Sequence, residues 1–361
     1  MLPSWLTAFL VPFLGLAAGF AAAQAAPAPS GPSTTTTAAP RAVATVAPKT
    51  PAEFFARARQ LSDLRAAGIP FHLKATYTAT GDAEFTGSGT YETWWKSQQD
   101  WRVAATLASF RYSAVMKSGT LQIFASGSYI PLRLRQAMSN AVMRIPQSEV
   151  NSQGWKVQSK HLQGVDWVYL LKSEPCRAQT PKIQCPEGRF FTHEGVLRIS
   201  QHGTMVTVYN DLQPFRDHLV PLKVSIGDVG QPALTLMVNV LEPLPADPGN
   251  SWQSAVDNHG LTPIQAMKKV AQIDTARVLR APAPSYPYAA KQARISGTVV
   301  MHVTIDDKGA VREPYILLSA GHDLDQAALQ AVRRWRYQPI EADGKPMQVD
   351  TTITVIFTLH S

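Results

Sequence analysis

The side chains that most often carry catalysis or bind metals are scattered along this 361-residue chain. Its nine histidines include no His-x-x-x-His or His-x-His pair, and His193-Glu194 lacks the second histidine of a zinc-protease helix. The sequence contains no Gly-x-Ser-x-Gly nucleophile elbow and no glycine loop that would cradle a phosphate. We therefore expect no catalytic residue, no metal and no cofactor. A hydrolase is the weakest hypothesis, because no nucleophile and base are paired in the sequence.

The two cysteines, Cys176 and Cys185, lie in a proline-flanked segment that we expect to be a loop. Metal or redox chemistry would favour a Cys-x-x-Cys spacing or nearby histidines, and neither is present. The pair therefore predicts a structural disulfide. Such a bond persists in an oxidising compartment, and the bacterial periplasm is one of these compartments.

The strongest pattern lies at the end of the chain, where the chemistry is that of the backbone. A long alternation of apolar and mostly polar residues predicts a β-strand with one apolar face. The positions that we assign to partner binding on this strand are Val349, Thr351, Ile353, Val355 and Phe357. No proline interrupts the strand and only Asp350 and His360 are ionisable, so we expect an unguarded sheet edge. An open edge can take up a guest peptide through main-chain hydrogen bonds.

The elements before this strand form a compact set. Ser285-Tyr286-Pro287 opens a short helix, since proline suits the first turn of a helix. Two strands, Gly297–Ile305 and Val311–Leu318, flank a turn that ends at Gly309. A second helix follows with Asp323 as its predicted N-cap residue. We therefore expect two helices on a three-stranded antiparallel sheet.

This order of parts resembles the C-terminal domain of the TonB energy-transducer family. The resemblance is carried by Ser285-Tyr286-Pro287, by Arg334-Trp335-Arg336-Tyr337-Gln338-Pro339 and by the closing strand. In that family the last strand pairs with a short N-terminal box of an outer-membrane receptor, and the Tyr-Pro element lies near the receptor plug. The resemblance therefore implies partner-binding roles for Ser285, Tyr286 and Pro287 as well as for the strand.

The middle of the chain predicts a second domain. An amphipathic helix with Phe54 and Phe55 is followed by many short β-branched or aromatic segments, which a helical stretch at Leu132–Met143 interrupts. This pattern favours a strongly curved antiparallel sheet or half-barrel wrapped around helices, so the fold class of the whole chain is α+β.

Aromatic residues of this middle part carry a second resemblance. The run Gly89-Thr90-Tyr91-Glu92-Thr93-Trp94-Trp95, followed by Asp100-Trp101-Arg102-Val103, resembles the LolA/LppX-like periplasmic lipoprotein carriers. The resemblance implies a concave face that holds an acyl chain. Candidates for lining this cavity are Trp94, Trp95, Trp101 and Phe110. Ordinary core packing of these aromatic residues is the alternative.

The N-terminal residues indicate export. An apolar run followed by small residues at Ala23 and Ala25 predicts a signal peptide over residues 1–26. No Lys or Arg precedes Arg41, so an uncleaved inner-membrane anchor is the alternative. The remaining predicted parts are a disordered Pro/Ala/Thr-rich linker (27–51), the middle domain (52–244), a connector (245–274) with a helix over Thr262–Val270, and the terminal domain (275–361).

The formal charge of +8 raises the question of a nucleic-acid partner. No run of basic residues occurs, so the sequence predicts none. Our first hypothesis is a periplasmic TonB-like protein that binds an outer-membrane receptor or another envelope protein by strand addition, in envelope transport or energy transduction. The alternative is a periplasmic lipid or lipoprotein carrier whose terminal domain serves for homodimerisation. A retained anchor would add an inner-membrane motor complex to the partners.

Overall fold

The computed structural model describes residues 46–81, 86–127, 129–162, 165–176, 183–228, 231–246, 259–264, 266, 268–269 and 277–359. The predicted signal peptide or anchor (1–26) and most of the predicted linker (27–51) lie outside the described residues. Within the described ranges, every helix is too short or too polar to span a membrane.

Helix α1 (Pro51–Ser62) begins the ordered middle domain. The Thr50 hydroxyl accepts a hydrogen bond from the Glu53 N–H, and the Glu53 carboxylate accepts one from the Thr50 N–H, so the helix starts at a capping box. Phe54, Phe55 and Ala58 are buried on one face of the helix. These residues dock α1 onto the large sheet that follows.

Thirteen strands form one open antiparallel sheet. The strands are β1 (Phe71–Ala79), β2 (Gly87–Ser97), β3 (Asp100–Leu107), β4 (Phe110–Lys117), β5 (Thr120–Ala125), β6 (Lys156–Leu162), β7 (Val165–Pro175), β8 (Gln184–Thr192), β9 (Leu197–His202), β10 (Met205–Phe215), β11 (His218–Asp228), β12 (Gln231–Pro243) and β13 (Thr262–Pro263). Their order is β13-β5-β4-β3-β2-β1-β12-β11-β10-β9-β8-β7-β6, so two meanders join where β1 pairs with β12. The antiparallel, curved sheet that the sequence predicted for this region is therefore present.

Two helices lie between β5 and β6 in the chain, namely α2 (Leu132–Asn140) and α3 (Gln147–Val150). Helix α2 packs against β11 and β12, and Leu134 and Ala137 are fully buried. The helix was predicted to continue to Met143 but ends at Asn140. Val142 and Met143 are nevertheless fully buried, because the chain after the helix still runs through the core.

The structure corrects two predictions about irregular segments. The proline-flanked cysteine segment is not a loop throughout, since Cys185 and Pro186 belong to β8. The helix predicted over Thr262–Val270 is wrong at its start, because Thr262 pairs with Ala125 as part of β13. Pro263 fits there because β13 is an edge strand, where a missing N–H costs no ladder bond.

The predicted disulfide between Cys176 and Cys185 is confirmed, and it joins the end of β7 to β8. Closing this short ring restricts the unfolded chain. We expect a Cys176→Ser/Cys185→Ser double variant to lose about 2–3 kcal/mol of unfolding free energy. Urea denaturation followed by tryptophan fluorescence would measure the loss. Wild type treated with a reductant is the matched control, and a double variant as stable as the oxidised wild type would contradict the prediction.

The terminal domain is a smaller sheet with two helices. Its elements are β14 (Lys268–Lys269), β15 (Val278–Arg280), α4 (Tyr288–Gln292), β16 (Gly297–Ile305), β17 (Val311–Leu318), α5 (His322–Val332), β18 (Arg336–Tyr337), β19 (Ile340–Ala342), β20 (Lys345–Met347) and β21 (Val349–Phe357). The main sheet has the order β14-β21-β16-β17, in which β14 runs parallel to β21 and the other neighbours are antiparallel. The predicted three-stranded antiparallel sheet is therefore wrong in its strand number, because β14, from the predicted connector, adds a fourth, parallel strand.

Two local predictions in this domain have different outcomes. Gly309 has a φ of 78°, as the predicted turn requires. The predicted N-cap role of Asp323 is wrong, because Gly321 precedes the helix as its cap residue. The carboxylate that organises this corner is that of Asp325, which accepts hydrogen bonds from the Ser319 hydroxyl and the Ala320 N–H.

Candidate functional site

Strand β21 has a strand partner along its whole length on one side only. It pairs with β16 from Gly297 opposite Phe357 to Ile305 opposite Val349. On its other side, Lys268 and Lys269 of β14 pair with Val349 and Asp350. The prediction of an open edge is therefore wrong for these first two residues. Among the described residues, no strand pairs with residues 353–357 on that outer side, and we call this stretch the β21 edge.

The backbone groups that face outward at the β21 edge follow from the sheet geometry. The Asp306 N–H, just after β16, donates to the carbonyl of Ala310, just before β17. Counting back from Asp306, every second residue of β16 therefore directs its backbone N–H and C=O toward β17. The pairing of β16 with β17 contains β-bulges, and their extra residues lie in β17. The alternation of backbone directions along β16 is therefore unbroken. The intervening β16 residues therefore bond to the odd-numbered residues of β21. The outward-facing residues of the β21 edge are accordingly Thr354 and Ile356.

The opposite edge of this sheet is covered by the middle domain. The Thr204 N–H, in the turn between β9 and β10, donates to the Ile316 carbonyl of β17 at 2.8 Å. A Cβ atom at Gly203 would lie 2.1 Å from that same carbonyl oxygen, so only glycine allows the turn to approach this closely. Within the part of the chain that the structure describes, the middle domain thus contacts the β17 edge, and the β21 edge lies on the opposite side of this sheet.

The Tyr-Pro element lies beside the end of β21. The Tyr286 ring packs edge-on against the Phe357 ring with 5.4 Å between the ring centroids. The Tyr286 hydroxyl donates to the Ile295 carbonyl, and Pro287 is the cap residue of α4. Ser285 is exposed before this element. The structure thus brings together two regions that the sequence assigned to partner binding.

The predicted partner-binding side chains of β21 are buried rather than exposed. They belong to the terminal-domain core beneath α5: Val349, Thr351, Ile353, Val355 and Phe357. On the other face of the strand, Ile356 is 64% exposed. The odd-numbered side chains therefore hold the strand in place. A guest peptide would meet the backbone of the edge and the Ile356 side chain.

The face of the small sheet opposite its helices packs against the middle domain. Val300, Tyr315 and Leu317 are buried in the same apolar cluster as the middle-domain core. This contact explains why Val300 breaks the alternation of β16 in the sequence. The two domains share a core at this contact.

A buried carboxylate of the terminal domain binds the first turn of α2. Glu313 accepts hydrogen bonds from the Tyr129 hydroxyl at 2.6 Å, from the Leu132 N–H and from the Arg133 guanidinium at 3.1 Å. Glu313 has a φ of 39°, which is unusual for a residue other than glycine, and it lies at a bulge of β17. Burial, followed by the charge of Glu313, raises the pKa of Tyr129 well above its ordinary value. The terminal domain therefore caps a helix of the middle domain.

A second ion pair crosses the same contact. The two Nη atoms of Arg135 donate to the two carboxylate oxygens of Asp350, each at 3.0 Å. The Thr304 hydroxyl donates to the same carboxylate at 2.6 Å. Burial alone would raise the pKa of Asp350, but the hydrogen bonds and charge of Arg135, with help from His302 and Thr304, hold it below its ordinary value. Asp350 is thus an interdomain anchor rather than a charge that guards the edge.

The lowered pKa of Asp350 predicts a pH-dependent contribution to stability. A carboxyl group with a lowered folded-state pKa stabilises the protein above its unfolded pKa of about 3.9, and this contribution is lost as the pH falls through the folded-state value. We expect Asp350→Asn to be less stable than wild type by a constant amount between pH 7 and 5. The difference in unfolding free energy between the two proteins should become smaller below about pH 4. Urea denaturation of both proteins across this range would measure it, and a gap that widens at low pH would contradict the assignment.

A cleft of about 680 Å³ lies between the helices and the sheet of the middle domain. Trp95 and Trp101, two of the four candidate cavity residues, line it. Trp94 does not, because neighbouring strand residues face opposite sides and its ring stacks on His72 instead. Phe110 is buried in the core and is not among the lining residues.

Charged residues surround this cleft. Its lining includes four arginines, Arg59, Arg65, Arg135 and Arg144, and one carboxylate, Asp63. The Nη1 atom of Arg59 lies 3.7 Å from the Oδ2 atom of Asp63 and also donates a hydrogen bond to the Ile145 carbonyl. Arg144 is exposed at the rim. The cleft therefore combines aromatic surface with a net positive lining, which suits an apolar group that carries an anionic head.

Comparison with known proteins places the terminal domain. Residues 282–359 match the family model of the Gram-negative bacterial TonB protein C-terminal region. Protein TonB of Vibrio cholerae is 35% identical over 78 residues, which are 21% of this chain and 32% of that protein. The chain thus spans about a third of the length of this curated relative. The solution structure of the Pseudomonas aeruginosa TonB C-terminal domain is 30% identical and covers 24% of this chain and 87% of that one, with a TM-score of 0.21.

The remainder of the chain has more distant similarity. A LolA superfamily protein from Nitrosomonas europaea is 12% identical and covers 56% of this chain and 97% of that one, with a TM-score of 0.31. No ligand or partner is transferred to this chain at that level of similarity. The sequence match at the C-terminus is much stronger. The similarity of residues 282–359 to the TonB C-terminal domain is therefore confirmed, and these residues follow a middle domain with a curved antiparallel sheet.

Proposed function

We propose that this chain is a periplasmic TonB-like protein whose β21 edge binds a peptide strand of an outer-membrane partner, in envelope transport or energy transduction. The observation that carries the proposal is the pair of outward-facing backbone positions at Thr354 and Ile356, which have no strand partner among the described residues. An incoming strand would satisfy these donors and acceptors directly. The function is binding and involves no catalysis.

The setting of the β21 edge favours strand addition. The strand is held by β16 along its length, by the core beneath α5 and by the ion pair from Arg135 to Asp350. A peptide that binds a rigid edge orders only itself, so less of the binding free energy is lost to ordering the protein. The exposed Ile356 side chain adds apolar contact for one guest residue.

Export of the chain is supported by the Cys176–Cys185 disulfide. Disulfides persist in oxidising compartments and are rare in the cytosol. A periplasmic location would also place the β21 edge within reach of outer-membrane receptors. Sequencing the N-terminus of protein taken from membranes and from the periplasm would test export and would distinguish a cleaved signal peptide from a retained anchor.

Calorimetric titration with synthetic peptides from the N-terminal segments of TonB-dependent outer-membrane receptors would test the main proposal. We expect saturable binding of at least one such peptide and none of its scrambled version. A chain that binds no receptor peptide at millimolar concentration would overturn the proposal. Light scattering of the same samples tests the alternative in which the terminal domain pairs with a second copy, because the mass would then double.

A second candidate function is the transport of a lipid or lipoprotein acyl chain in the cleft. The specific observation in its favour is the combination of Trp95 and Trp101 with the arginine-rich lining in a volume of about 680 Å³. This lining favours an amphiphile with an anionic head over a neutral one. Native mass spectrometry of the protein purified from cells would detect such a lipid. Empty protein that also fails to bind short-chain phosphatidylglycerol would overturn this candidate.

A further inference from the structure

Helix α2 belongs to both candidate sites. Arg135, Met138 and Ser139 of this helix line the cleft. The first turn of the same helix and the residues just before it are held by the terminal domain, through Glu313 at Leu132 and through Gln348, which accepts the Ile130 N–H at 3.0 Å. A ligand in the cleft that displaced α2 would therefore strain the contacts of this helix with Glu313 of β17 and with Gln348, which immediately precedes β21.

Arg135 connects the two sites most directly. It lines the cleft, yet its Nη atoms bind Asp350 and Thr304 and its Nε donates to the Ile130 carbonyl. Asp350 is the second residue of β21 and lies three residues before the β21 edge. Because four of the five N–H donors of Arg135 are already bonded, an anionic group that binds Arg135 from the cleft through more than one hydrogen bond competes with Asp350 and Thr304.

We infer that the cleft and the β21 edge are thermodynamically linked through Arg135, so that an anionic amphiphile in the cleft weakens binding of a guest strand, and a guest strand weakens binding of the amphiphile. The two states differ in the partner of Arg135. In one state Arg135 binds Asp350 and the start of β21 is held. In the other, Arg135 binds the headgroup and the start of β21 loosens.

The sign of the linkage follows from what each ligand needs. A guest strand binds an ordered β21, and the Arg135–Asp350 pair helps to order it. An anionic headgroup binds Arg135 better when Asp350 has released it. Linkage is reciprocal, so each ligand lowers the affinity of the other by the same factor. Docking on an outer-membrane partner would thereby promote release of the ligand from the cleft. This inference rests on both functions proposed above.

The first experiment measures lipid binding alone and needs no guest peptide. The probe is dihexanoylphosphatidylglycerol below its micellar concentration, with dihexanoylphosphatidylcholine as the neutral control, and binding is followed by tryptophan fluorescence. Asp350→Asn removes the charge that competes for Arg135, so we expect it to bind the anionic lipid about fivefold more tightly than wild type. A merely structural role for Asp350 would leave this affinity unchanged or lower it.

Thr304→Val is the second variant, because it removes a milder contact from the same cluster and keeps the shape of the side chain. We expect its affinity for the anionic lipid to rise by about twofold. Near-ultraviolet circular dichroism verifies that both variants are folded. The inference is overturned if neither folded variant binds the anionic lipid more tightly than wild type, or if wild type and variants do not bind it at all.

The second experiment measures the linkage itself. Saturating wild type with the anionic lipid should weaken receptor-peptide binding about five- to tenfold, and should speed hydrogen exchange of the Val349–Phe357 amides. In Asp350→Asn the lipid should change peptide affinity by less than about twofold. Unchanged exchange in lipid-saturated wild type would overturn the linkage. A failure of the proposed peptide binding is recognised separately, because no peptide would then bind even without lipid.

Discussion

Replacing Glu313 with alanine should lower the free energy of unfolding by about 3–5 kcal/mol. Its carboxylate is buried and accepts three hydrogen bonds, from Tyr129, Leu132 and Arg133. Arg133 is itself only 3% exposed, so alanine would leave a buried guanidinium without this carboxylate. Removing one partner of a buried ion pair leaves the other charge buried without compensation. This loss of stability is much larger than the stability that the intact pair provides compared with apolar residues at the same positions.

Urea denaturation followed by tryptophan fluorescence would measure the effect of Glu313→Ala. Two variants serve as controls. Glu313→Gln keeps the shape and an acceptor oxygen, so we expect it to lose clearly less stability than alanine. Glu341→Ala removes an exposed carboxylate on β19 and should change the free energy by less than about 0.5 kcal/mol. A Glu313→Ala loss below about 1 kcal/mol would show that the contact between the domains does not depend on this carboxylate.

Replacing Thr354 with proline should weaken receptor-peptide binding by at least tenfold, about 1.4 kcal/mol. The Thr354 N–H faces the outer side of β21, so its loss leaves the β16–β21 ladder intact and removes a donor that the guest strand needs. The proline ring also occupies the position of the incoming backbone. Proline is tolerated at such edge positions, so we expect the variant to fold.

Thr354→Val is the matched control for this substitution. It keeps the N–H and the β-branched shape, and the Thr354 hydroxyl has no hydrogen-bond partner among the described atoms. We therefore expect the valine variant to bind the peptide within about twofold of wild type, because no bond to the guest is lost. Calorimetric titration of both variants provides the comparison. Equal peptide affinity of folded Thr354→Pro and wild type would exclude strand addition at this position.

Regular elements with short-range patterns were predictable from the sequence. The alternation from Val349 to Phe357 is a local property of the chain, and the structure shows that strand with its apolar face buried. The strands Gly297–Ile305 and Val311–Leu318 have the predicted bounds for the same reason. The cysteine spacing likewise sufficed for the disulfide.

Features that depend on distant residues could not be predicted. Arg133 and Arg135 lie in a helix whose charged residues would ordinarily face water, and their partners Glu313 and Asp350 are far away in sequence. No local signal connects them. The buried Val300 was the one visible hint, since an apolar residue on the polar face of a strand suggests a second contact surface.

The wrong helix prediction for Thr262–Val270 has a similar origin. Thr262 followed by Pro263 is a good helix start by local propensity. The segment instead pairs with the edge of the large sheet at Ala125. Strand β6 was missed because Lys156, Lys160 and His161 break any apolar alternation, yet charged residues are common on edge strands such as this one.

Residue-resolved amide hydrogen exchange of β21, with and without a bound receptor peptide, is the direct test of strand addition. We expect new protection at Thr354 and Ile356, whose N–H groups face outward. Thr351, Ile353 and Val355 already bond to β16 and should change little. A peptide that saturates the protein yet leaves the two outward amides as exchangeable as before would contradict binding by strand addition at this edge.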